Sequence, residues 1–170
     1  MEEIPRRSSR DWRGTLIALS MFILLLDRVT KKLIERYVPV DGAIPVIPHI
    51  FRISHVENAG AAFSLFGNSP SPGRVRWLLI GFSLLAAVVV LGFLIKLGRR
   101  LTPMTVALAL ILGGAIGNAY DRIRYGYVID FVEVHIIHYH WPDFNVADSA
   151  IVIGGILLVL DSLRSVPDRS

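Results

Sequence analysis

The sequence predicts a mainly α, polytopic membrane protein with four transmembrane helices, a small extracytoplasmic β-rich platform and a short surface helix. Three observations lead there. The stretches Trp77–Ile95 and Leu101–Tyr120 are long and carry no charge, which suits them to cross a hydrocarbon core. The 170 residues are 53% hydrophobic and 19% charged, with a mean hydropathy of +0.54, more apolar side chain than a soluble globule of this size can bury. Ahead of both stretches, Phe51-Arg52-Ile53-Ser54-His55-Val56 alternates with the two-residue period of a half-buried strand.

Taken in order, residues Met1 to Arg13 are polar and carry Arg6, Arg7, Arg10 and Arg13. The apolar run Gly14 to Leu26 has the length of a signal-peptide core, but no small-x-small cleavage motif follows it. Its helical pattern continues through Asp27-Arg28-Val29-Thr30-Lys31-Lys32 into Leu33 and Ile34, so the first span is read as about 15–36, with charges in its outer third. The second span, about 76–96, is stopped by Lys96, Arg99 and Arg100. Pro103 then starts the third, about 103–122, because proline is tolerated in a helix's first turn. The fourth runs over about 145–163, with Asp148 near its start. Short basic loops favour the cytoplasmic side. That places both termini and the Lys96–Arg100 turn inside, and segments 38–73 and 123–144 outside, although Lys31, Lys32, Arg52, Arg74 and Arg76 lie on the outer side. The whole is read as one domain, 1–170.

Composition removes several function classes. Without cysteine there is no disulfide framework, thiolate nucleophile or Cys-ligated metal. The net charge of +4 gathers at the ends of apolar runs, where it suits lipid headgroups, and no nucleic-acid partner is expected. Ser54-His55 has no G-x-S-x-G or S-x-x-K companion. His135, His138 and His140 stand near Glu133 and Asp143. With Tyr139 and Trp141 beside them, they read as interfacial histidines in preference to metal ligands, and neither metal nor cofactor is expected.

The chemistry resides in polar residues at membrane depth, which are costly there and functional by default. Gly113 and Gly117 lie one turn apart, a spacing that lets another helix approach closely. Asn118, Asp121 and Arg122 follow on adjoining helical positions, and by themselves they could be no more than a packing seam with an Asp–Arg pair. Asp130 sits in the apolar tetrad Val128-Ile129-Asp130-Phe131. Asn145 is a good helix N-cap, and Asp148 three residues on resembles a capping-box acid. Read locally, Asp130 is a loop acid and Asp148 a cap. Topology brings both to one membrane face, where two carboxylates sharing a proton could work as acid and base on an amide.

The ordered set Asp27-x-x-Thr30-Lys31, Asn58-x-Gly60, Gly113-Gly114-x-x-Gly117-Asn118-x-x-Asp121-Arg122, Val128-x-Asp130-Phe131 and Phe144-Asn145-x-Ala147-Asp148-Ser149 resembles lipoprotein signal peptidase, the signal peptidase II family. The resemblance implies an aspartyl endopeptidase of the bacterial cytoplasmic membrane that removes the signal peptides of prolipoproteins before a diacylglyceryl-modified Cys. It implies Asp130 and Asp148 as the catalytic pair, and Asn58, Gly60, Asn118, Asp121, Arg122, Asn145 and Ala147 as shaping or supporting the site. Asp27, Lys31, Gly113 and Gly117 would be structural. Membrane lipids are expected neighbours, a monomer is the expected state, and Ala61 to Phe66 is expected to close over the peptide. A competing reading, a small transporter with Asp27, Asp121, Asp130 and Asp148 as ion sites, lacks the internal repeat that such proteins often show.

Overall fold

A computed structural model of the chain describes residues 10–60, 71–137 and 139–164. The element order is α1 (Arg13–Tyr37), β1 (Ala43–Ile47), β2 (Phe51–Asn58), α2 (Pro72–Leu97), α3 (Pro103–Arg124), β3 (Val128–Ile136), β4 (Tyr139–Phe144) and α4 (Val146–Arg164). Arg6 and Arg7, the segment Ala61–Phe66 where a surface helix is expected, and His138 lie outside the described residues.

Three helices are long and apolar enough to cross a membrane: Gly73–Leu97, Pro103–Arg124 and Val146–Arg164. The remaining helix, α1, has the length, at 25 residues, but carries Asp27, Arg28, Lys31, Lys32, Glu35 and Arg36 in its second half. Three of the four expected spans therefore stand on length and apolarity, and α1 does not.

The third helix is the hub, packing against α1, α2 and α4. Its start is fixed by a capping box in which Thr102 and Thr105 exchange side-chain and backbone hydrogen bonds. Its small residues set the approach of its neighbours. A Cβ on Gly113 would stand 2.6 Å from the Ser20 carbonyl of α1, and one on Gly114 would collide with the Ala147 carbonyl of α4. Ser20 Oγ then bonds across to the Ala109 carbonyl at 2.8 Å. The outer side of α2 exposes Trp77, Leu78, Phe82, Leu85 and Val88, an apolar surface that fits hydrocarbon.

The strands form one antiparallel sheet in the order β1-β2-β3-β4. The alternation at 51–56 is found in β2, while 123–144, expected only as an external connection, supplies β3 and β4. Ile129 and Phe131 of β3 pack with Ile34 and Val38 at the end of α1, and with Val146 at the start of α4. The sheet thus lies at the bundle end where α1 and α3 finish and α2 and α4 begin, opposite the Lys96–Arg100 turn.

Candidate active site

Successive strand residues face opposite ways, so with Ile129 and Phe131 in the core Asp130 turns to the other side. There it meets Asn58, whose register partner is Val128, a diagonal neighbour within reach across the strand pair. Asn58 Nδ2 donates to Asp130 Oδ2 at 2.9 Å. Asn145 Nδ2 donates to Asp130 Oδ1 at 2.7 Å, so both carboxylate oxygens are held by neutral amides.

Asn145 is also the N-cap of α4. Its Oδ1 accepts the Asp148 N–H at 2.9 Å, and its own N–H points at Asp148 Oδ2 at 3.4 Å. The expected capping box is therefore present, and it does not remove Asp148 from the site. Asp148 Oδ1 accepts from Asn118 Nδ2 of α3 at 2.7 Å. One residue, Asn145, thus ties the two aspartates together, holding Asp130 with its amide nitrogen and Asp148 with its oxygen and backbone.

Asp130 is only 2% exposed. Burial, and then the neighbouring Asp148 charge, push its carboxyl up to about 7, against the hydrogen bonds of Asn58 and Asn145 and the charge of Lys31. A group so placed carries its proton for a large part of the time near neutral pH, as acid chemistry requires.

The supporting residues form a second, deeper layer. Lys31 Nζ is fully buried and sits 2.8 Å from Asp27 Oδ2, 2.6 Å from Asp121 Oδ2 and 3.2 Å from Asn118 Oδ1. Asp27 Oδ1 accepts the Ala147 N–H at 3.0 Å, so an α1 side chain satisfies a first-turn donor of α4. Gly117 makes room for this, since a Cβ there would stand 2.9 Å from Asp27 Oδ2. The second cation on Asp121 is Arg28. An Asp121–Arg122 pair does not form. Arg122 instead donates to the Gly60 carbonyl at 3.2 Å and the Asn118 carbonyl at 3.5 Å, and Gly60 N–H bonds to Asn58 Oδ1 at 3.0 Å.

All the expected site and structural residues are thus in or beside one network, except Gly113, which serves helix packing one turn away. Two further side chains, which the sequence reading did not place there, join the network. Arg28 was legible, because 27, 28 and 31 share one helical face. Arg76 was not: it donates from α2 to the Arg122 and Ile123 carbonyls at 2.9 and 3.0 Å, closing the end of α3 from a distant part of the chain. A separate cluster of Glu133, His135 and His140 lies further along β3 and β4 and could hold a metal ion.

A family model described as signal peptidase (SPase) II matches residues 19–164. A lipoprotein signal peptidase of Pseudomonas fluorescens is 42% identical over 163 residues, covering 95% of each chain. One of Sulfurihydrogenibium sp. (strain YO3AOP1) is 42% identical over 146 residues, 85% of this chain and 88% of that one. Among solved structures, a bacterial membrane enzyme determined by the in meso method at 2.3 Å resolution superposes with a TM-score of 0.83 at 30% identity, over 95% of each chain.

Proposed function

The chain belongs to the signal peptidase II family, and from that premise we propose that Asp130 and Asp148 are its catalytic pair. The protein is a membrane peptidase of the aspartic type that removes signal peptides from prolipoproteins. The observation that carries the assignment of residues is the amide cradle: among the described residues, two aspartates of different elements converge on Asn145, and neither contacts a cation.

In the proposed reaction Asp130 carries the shared proton and Asp148 is ionised. Asp148 accepts a proton from water as the water oxygen attacks the scissile carbonyl carbon, while Asp130 gives its proton to the carbonyl oxygen. The tetrahedral intermediate collapses when Asp130 takes that proton back and Asp148 passes the water's proton to the leaving nitrogen. Both carboxyls are then restored, with no covalent intermediate and no metal. Asn118 and Asn58 keep the two carboxyls oriented.

The same reading makes α1 the fourth span. Asp27 and Lys31 are fully buried against α3, while the helix exposes Met21, Phe22, Leu25, Val29 and Leu33, so ionisable groups face the protein and apolar ones the lipid. With Lys96, Arg99 and Arg100 on the cytoplasmic side, both termini are cytoplasmic, and the sheet and the dyad face outward from the bacterial inner membrane. There they meet the signal peptide beside its diacylglyceryl-Cys. The enzyme acts as a monomer and a single domain.

The test is cleavage of a diacylglyceryl-modified precursor, and of its unmodified counterpart, by purified protein in detergent with a metal chelator present. Chelator-resistant cleavage of the lipidated form alone, lost in Asp130→Asn and in Asp148→Asn, is expected. Full activity in either variant would end the assignment.

A further inference from the structure

The hairpin β3–β4 carries a second constellation that the peptidase chemistry does not use. His135 and His140 are register partners across the two strands, and their rings stack with centroids 4.8 Å apart. Both turn Nε2 toward Glu133 Oε1, His135 at 2.7 Å and His140 at 3.5 Å. His140 Nε2 also stands 3.4 Å from Asp143 Oδ1, an atom that is buried and makes no hydrogen bond with the described residues.

We propose that Glu133, His135 and His140, whose ligand atoms lie within 4.8 Å of one another, form a structural site for a divalent transition-metal ion, with Asp143 Oδ1 beside His140 moving in as the fourth donor and zinc indicated by that donor set. Two imidazoles and two carboxylates suit zinc, whose bonds to such donors are about 2.0–2.2 Å, so that neighbouring donors of a tetrahedral site stand roughly 3.4 Å apart. The two His140 separations already have that value. The His135–Glu133 hydrogen bond is shorter, and a small rotation of the imidazole opens it.

The other oxygen of each carboxylate is already held. Glu133 Oε2 accepts from Arg52 Nε at 2.8 Å, and Asp143 Oδ2 accepts from Ser54 Oγ at 3.4 Å. Those are outer contacts of the kind that orient metal ligands. Arg52 also touches Glu133 Oε1. That contact yields to the ion, and the Arg52 bond to Oε2 remains. Both outer donors come from β2, so an ion here links three strands. It would clamp the hairpin whose two ends deliver Asp130 and Asn145, supporting the site without entering its chemistry.

The experiment uses the full chain in detergent, freed of any affinity tag, stripped with chelator and dialysed. Isothermal titration with Zn(II) is expected to show one saturable equivalent. His135→Gln and His140→Gln should each weaken it at least about tenfold, on the scale of losing an ordering contact at a metal site. The exposed His49→Gln serves as a control that leaves it unchanged. Zinc-edge X-ray absorption of the unmodified, zinc-loaded protein is expected to read two imidazoles and oxygen donors at tetrahedral distance, and it does not depend on how any variant folds. No saturable binding, equal affinity in the His135→Gln/His140→Gln double variant, or a six-oxygen environment overturns the site.

Discussion

Four aspartates lie within one connected network, yet they live under opposite conditions. Between α1 and α3, Asp27 and Asp121 are neutralised at close range by Lys31 and Arg28. Between β3 and α4, Asp130 and Asp148 are held by Asn58, Asn118 and Asn145, with Lys31 acting on Asp130 only through its field. A carboxylate in contact with a cation has a fixed partner and can serve as a strut. One that is held by neutral amides, next to a second carboxylate, can exchange a proton within the working range. On the proposed function, this difference is what would separate structural from reactive aspartates where residue type alone does not.

The largest effect expected from this contrast is on activity. Asp130→Asn and Asp148→Asn should each lower kcat by at least about a thousandfold, within the range known for loss of a general acid or base. Thermal unfolding in detergent should change little, because no cation is left unpaired. A variant of either residue that unfolds as readily as a strut variant would break the contrast.

Next in size is Lys31→Met. It leaves Asp27 and Asp121 buried with less compensation, and breaking such a cluster typically costs about 3–5 kcal/mol. Denaturation in micelles should show a loss on that scale. Activity should fall with it, since Lys31 also holds Asn118 Oδ1. Unchanged stability would mean that Lys31 is as dispensable as a surface charge.

How much of this was legible in the sequence follows the same division. The bundle was readable, because hydrocarbon-length apolar runs and a proline start define helices locally: α2, α3 and α4 fall close to where hydropathy puts them. The Gly113–Gly117 spacing announced close packing for a local reason too. The sheet was half readable. Phe51–Val56 alternates, but β3 has two buried charges, Asp130 and Glu133, among its apolar residues and β4 is polar and aromatic, so no period marks them and only pairing across the chain makes them strands. The site was readable as a set of residues and not as a set of contacts. The Asp27 bond to the Ala147 N–H spans 120 positions, and Asp121 prefers the α1 cations to its own neighbour Arg122. Local spacing cannot choose between such partners.

A smaller effect tests whether the strut is also a spacer. In Gly117→Ala the new methyl would stand 2.9 Å from Asp27 Oδ2 and 3.4 Å from Ala147 Cβ. Overpacking of this kind costs about 1–3 kcal/mol. The variant should fold with a lowered Tm, and Asp27→Asn should not rescue it, because the clash is steric and survives loss of charge.

The smallest expected effect is the most direct probe of the amide cradle. Asp130 is pushed up to about 7, so the rate supported by its acid form should fall as pH rises through that value. The linked stability has the same sign. The unfolded-state value is lower, near 4, so between about 4 and 7 the native state binds more protons than the unfolded one. Stability contributed by this group is full below that window and lost as pH rises across it. Asn58 opposes the upward push by donating to the carboxylate. Asn58→Ala therefore raises the value further and should move the alkaline limb of the rate profile upward by about 0.7 pH unit, the equivalent of one hydrogen bond of roughly 1 kcal/mol. A cationic strut in place of the amide, Asn58→Lys, should move the same limb down. If both substitutions left the limb in place, the amide at position 58 would be orienting Asp130 without tuning it.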